Sequence, residues 1–80
     1  MSDVETRVKK VVARTLKVDL PRVTHDARFV EDLGAESMQS IELIATFEEE
    51  FDIEMDEEAA VTVKTVGGAI AFIQNVIDHQ

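Results

Sequence analysis

Eighty residues with a net charge of −9 and no cysteine are expected to form a single domain, 1–80, whose core is marginal at this size. The missing thiols exclude disulfides, a cysteine nucleophile and any cysteine-based zinc site. No apolar run approaches the ~20 residues that span a bilayer, so the chain reads as soluble without membrane insertion, and a cysteine-free acidic chain suits the cytoplasm.

The charge is divided unevenly. Up to Arg28 there are seven Lys or Arg against four Asp or Glu, whereas from Phe29 onward Lys64 alone stands against thirteen acids. So acidic a surface repels nucleic acid phosphates and anionic lipid headgroups. It attracts basic protein surfaces and speeds encounters with them in a salt-dependent way.

In chain order, Val4, Val8, Val11, Val12 and Leu16 recur at helical spacing, which predicts an amphipathic helix over about 3–17. Ser2 and Glu5 have the spacing of a capping box at its start. Pro21 disfavours the α region for Leu20 and ends the pattern. A long connection over 18–35 follows, with Val18, Leu20, Val23, Phe29, Val30 and Leu33 as anchors that pin it to the core. A second helix is predicted from Ser37 to about Phe51. Its apolar stripe is Ile41, Ile44, Ala45, Phe47 and Phe51, with Met38 and Leu43 on the flanks. Asp56 is placed to cap a short helix over 57–61, and Thr65 to cap a last helix with the stripe Val66, Ala69, Ile70, Ile73, Val76 and Ile77. No segment alternates as a strand does. Three longer helices, one short helix and a long first loop predict an all-α four-helix bundle.

Catalytic motifs are missing. A serine nucleophile needs a base within hydrogen-bond reach and a preceding strand for the G-x-S-x-G elbow, and "GAESM" offers one glycine and no strand. The histidines, His25 and His79, lie in the loop and at the penultimate position. A calcium loop starting at Asp52 would place Glu57 where glycine is needed and Val63 where the bidentate glutamate is needed. A serine hydrolase and a dedicated metal cage are therefore not expected. Ser37 keeps two readings: a helix N-cap, a role typically worth ~1 kcal/mol, or an exposed hydroxyl carrying a phosphate-linked group. The positive end of a helix dipole and its unpaired first-turn amides favour such an anion.

The segment "FVEDLGAESMQSIELIATFEEEFDIEMDEE", followed by "TVGGAIAFI", resembles the acyl carrier proteins, the small acidic four-helix bundles of fatty acid and polyketide synthesis. The resemblance implies that Ser37 is esterified by 4′-phosphopantetheine, installed from coenzyme A by a phosphopantetheinyl transferase. The terminal thiol of that group then carries acyl chains as thioesters, which accounts for a carrier without cysteine. It also implies a monomeric, non-enzymatic carrier serving acyl-loading, condensing, reducing or acyltransferase enzymes with basic docking patches. The docking positions would be Glu36, Met38, Glu42, Glu48, Glu49, Met55, Glu57 and Glu58, with Glu54 extending the face. An acyl cavity is expected from Met38, Ile41, Ile44, Phe47, Ala60, Val61 and Val63. Glu36, Met38 and Gln39 stand where the family usually has aspartate, leucine and an acid, which hints at a specialised lipid pathway. An aminoacyl or peptidyl carrier, and an unmodified acidic interaction module, are the alternatives.

Overall fold

The computed structural model describes residues 3–79. Four α-helices follow one another: α1 (Asp3–Leu16), α2 (Ser37–Phe51), α3 (Glu57–Ala60) and α4 (Val66–Asp78). The bundle class is the predicted one, and α2 has the predicted limits. The proposed capping box at the head of α1 rests on Ser2 and lies outside the described residues.

α1 packs against both α2 and α4. Val8, Val11, Val12 and Leu16 turn into the core, the first three with essentially no exposed surface, as spacings of three and four residues on one helical face require. α1 and α2 end without glycine. Lys17 and Asp52 adopt the left-handed conformation, with φ of 56° and 53°, at a cost of roughly 1–2 kcal/mol each. In return the next amide reaches back five residues: Val18 N–H donates to the Ala13 carbonyl and Ile53 N–H to the Glu48 carbonyl, both at 3.1 Å. These are Schellman closures, which satisfy carbonyls left over at the helix end. Arg7 ties α1 to the same end of α2. Its guanidinium pairs with the Glu50 carboxylate at 2.8 Å, donates to the Glu50 carbonyl and lies 4.5 Å from the Phe51 ring centre.

α3 and α4 start as predicted. Asp56 accepts from the Glu58 amide at 3.1 Å, and Thr65 Oγ1 from the Gly68 amide at 3.0 Å.

The connection between α1 and α2 contains one 3₁₀ turn, Leu20–Arg22, and is pinned mainly by its backbone. Phe29 N–H donates to the Lys64 carbonyl, Val66 N–H to Ala27 and Gly67 N–H to His25, at 2.9, 3.0 and 2.8 Å. Val23, Phe29 and Leu33 are buried anchors, as expected. Leu20 and Val30 are not, being 46% and 53% exposed. Leu20 is lifted out by the 3₁₀ turn, and Val30 faces the groove described below. Asp32 closes the loop onto Arg28, accepting from its amide at 2.8 Å and from its Nε at 3.1 Å.

The hydrogen bonds from Arg28 hold the Asp32 carboxyl below the usual carboxylate range. A folded-state pKa below the unfolded one adds stability that is present above the unfolded value and lost as pH falls through the folded one. Asp32→Asn should therefore destabilise the protein at neutral pH, and the gap to the parent should close on acidification below the carboxylate range. Urea midpoints across that pH series test this; a gap constant with pH would assign the effect to packing instead.

Candidate functional site

α2 begins one residue earlier in its capping than the serine-cap reading supposes. Glu36, extended at φ −93° and ψ 166°, is the N-cap, and Ser37 is the first residue of the helix proper. Glu36 and Gln39 form a capping box, with the Glu36 amide donating to Gln39 Oε1 at 2.9 Å. Gln39, which sequence reasoning counted only as a lost charge, thus organises the helix start. The consequence for Ser37 is direct: relieved of capping, it is exposed at a helix end whose first amides have no intrahelical acceptor.

Gly34, with φ 71°, makes the turn ahead of this site, a conformation that favours glycine. A groove then runs beside Ser37, bounded by Val30, Ala35, Glu36, Ser40, Ile41, Val61 and Lys64. Neither histidine borders it. His25 lies against the first turn of α4, where a Cβ on Gly67 would come 2.3 Å from its Cε1, and His79 Nδ1 is 2.7 Å from the Asn75 carbonyl oxygen. Among the described residues no cluster of three or more metal-ligating side chains occurs.

The apolar face of α2 is rotated from the predicted one. Leu43, Ile44 and Phe47 are buried, whereas Ile41 is 54% exposed and Ala45 is also exposed. The reason lies in packing: a five-residue stripe spans a wider arc than one helix contact covers, and Leu43 and Phe47 join the core cluster that holds Val8, Val11 and Val12 of α1. Ile41, Met38, Val30 and Val61 are therefore left as exposed apolar side chains, three of them around the groove.

A cavity of about 70 Å³ opens beneath, between α2, the loop and α3. Of the expected lining, Ile44, Phe47, Ala60, Val61 and Val63 border it, while Met38 and Ile41 do not. Met38 is 76% exposed, and Ile41 faces the neighbouring groove. Phe29, Leu43 and Phe72 complete the walls. Phe29 and Phe72 are distant from Ser37 along the chain, which left no local signal for them, whereas Leu43 lies on the predicted flank of α2.

Of the acids expected at a docking face, Glu36, Glu42, Glu49, Glu54, Glu57 and Glu58 are exposed. Glu48 is half-buried and accepts from the Met55 amide at 2.9 Å, joining α2 to the segment after it. Met55 packs against the core and borders the cavity instead of standing out beside the acids.

A helical bundle that displays one uncapped serine at the head of an acid-rich helix, beside an apolar slot, defines a scaffold for a tethered group. The family described as "phosphopantetheine attachment site" matches residues 6–73. An acyl carrier protein from Phenylobacterium zucineum (strain HLK1) is 51% identical over 74 residues, covering 92% of this chain and 94% of that protein. A solved structure described as "a putative acyl carrier protein" from Mycobacterium tuberculosis matches with a TM-score of 0.83 at 30% identity, over 90% of this chain and 96% of that one. The chain belongs to the phosphopantetheine-attachment family, as an acyl carrier: its covalent cofactor is 4′-phosphopantetheine, on which acyl intermediates are held as thioesters. No helix among the described residues is long and apolar enough to cross a membrane.

Proposed function

We propose that Ser37 is the attachment residue and that the protein acts in the cytoplasm as a single-domain, monomeric, non-enzymatic carrier. One observation carries the assignment: the Glu36–Gln39 box performs the capping, so the exposed Ser37 hydroxyl is free to be esterified. The surroundings suit a phosphodiester. The first-turn amides and the helix dipole favour an anion, and Lys64 borders the same groove. When attached, the cofactor supplies a flexible thiol for acyl transfer. In the loading reaction the Ser37 oxygen bonds to the pantetheine-side phosphorus of coenzyme A. Its proton goes to a base on the transferase, and adenosine 3′,5′-bisphosphate leaves. Incubation with coenzyme A, magnesium and a phosphopantetheinyl transferase, followed by intact-mass and peptide measurement, should show one added group on Ser37. No addition, or addition elsewhere, rejects the assignment.

Partner enzymes would be the transferase and acyl-loading, condensing, reducing or acyltransferase enzymes bearing basic patches. Exposed Glu36, Glu42, Glu49, Glu54, Glu57 and Glu58 supply the long-range attraction, and Met38, exposed beside them, supplies an adaptable apolar contact. Such contacts raise the on-rate more than the affinity, which suits short-lived encounters. Glu48 and Met55 remain secondary docking positions, since both have structural duties.

The cavity beneath α2 is the proposed recess for the acyl chain. Its apolar walls favour hydrocarbon over water, but its volume of about 70 Å³ holds only a short chain without the walls parting. Ile44→Phe adds bulk to one wall. Thioesters of increasing chain length should therefore lose protection from hydrolysis at a shorter length in this variant than in the parent. Identical hydrolysis rates at every length would remove the recess from the mechanism.

A further inference from the structure

Lys64 is the only Lys or Arg after Arg28, in a stretch of the chain, 29–80, that carries thirteen acids. Its backbone position is fixed by the hydrogen bond that its carbonyl accepts from Phe29 at 2.9 Å and by the adjoining Arg28–Thr65 bridge. Lys64 lines both the groove beside Ser37 and the cavity beneath α2. Glu36 borders that groove too, yet among the described residues no carboxylate comes within ion-pair distance of Lys64. Lys64 therefore shares a groove with Ser37 and holds no carboxylate, which leaves its charge available to an anion attached there.

We propose that Lys64 is a positioning residue for the prosthetic group, pairing with the phosphodiester on Ser37 and directing the arm along the groove toward the cavity mouth. This rests on Ser37 being the attachment residue. The phosphodiester keeps its negative charge at all pH values of interest, so the attraction is set by geometry and salt. Glu36 repels the same phosphate, and among the described residues Lys64 is the one cationic residue that lines the groove. Because the site is open to solvent, the pairing biases the arm's orientation and does not lock it, by roughly two- to fivefold in population. Lys64 thereby links the groove to the cavity: the arm is biased toward the slot into which its cargo would pass.

The test uses the fully modified protein and its Lys64→Gln, Lys64→Glu and Lys64→Arg variants, each first shown by mass to carry the group on Ser37. The phosphorus-31 resonance of the phosphodiester is then followed at low salt and during a sodium chloride titration. The parent signal should move toward the Lys64→Gln position as salt rises. Lys64→Glu should shift further in the same sense, with a narrower line from a freer arm, and Lys64→Arg should restore the parent signal. Superimposable resonances and line widths across all four proteins overturn the pairing while leaving Ser37 assigned. Failure to modify Ser37 in the parent overturns both. The Lys64 side chain is exposed and its structural hydrogen bond is made by its carbonyl, so all three variants should keep the parent's helical circular dichroism.

Discussion

Ser37→Ala should abolish phosphopantetheine incorporation and leave the stability of the protein almost unchanged. The first half follows from chemistry, since alanine has no oxygen to form the ester. The second half follows from the capping arrangement. If Ser37 were the N-cap, its removal would cost ~1 kcal/mol. Glu36 occupies that position instead, with Gln39 closing the box, and alanine is an excellent helix former at the first position. The expected change in unfolding free energy is within about 0.5 kcal/mol, as for other exposed substitutions. Gln39→Ala makes the complementary variant: it should lower the urea midpoint and still accept the cofactor. The pair separates capping from attachment at neighbouring positions. A loss of ~1 kcal/mol or more in Ser37→Ala would show that the hydroxyl has a structural duty after all.

Ile73→Ala should remove most of the stability the protein has. Ile73 is fully buried on α4, as are Val66 on the same helix and Val8, Val11 and Val12 on α1. Deleting such a side chain costs about 2–5 kcal/mol, from lost transfer energy and from the cavity left behind. A core of this size supplies only about 3–5 kcal/mol without disulfides or metals, so the variant should lose its cooperative urea transition near room temperature. Ile41→Ala deletes the same atoms from an exposed position on α2 and should change stability by no more than about 0.5 kcal/mol. Equal losses at the two positions would contradict the rotation of α2 described above. Acid repulsion works in the same direction as the core deletion, because like charges along α2 and α3 favour expansion; added salt should partly restore the transition of Ile73→Ala.

Local signals accounted for the helix limits and most of the caps. Thr65 and Asp56 were identifiable because a capping side chain acts on an amide two or three residues away. The start of α2 is legible to the residue, yet the sequence leaves Ser37 open between cap and attachment point, and the structure gives the cap to Glu36. The reciprocal bond from Gln39 is what makes Glu36 serve. Lys17 and Asp52 carried no stop signal, since neither is glycine. Their left-handed conformation is sustained by the Schellman bonds and, at Ile53, by burial of the residue that follows.

Composition and order alone determined that the chain is helical, acidic in its later part, devoid of thiols and similar to the carriers through the serine-bearing segment. Those properties are carried by residues close together in the sequence, where periodicity, capping and charge act without a partner. Tertiary packing decided which arc of α2 is buried, which apolar side chains remain exposed near Ser37, and that Lys64 shares its groove. The physical reason is that an amphipathic stripe limits a helix's orientation only to within its own width. The final rotation is chosen by the surface it meets, here α1, and proximity between distant residues is a product of that choice.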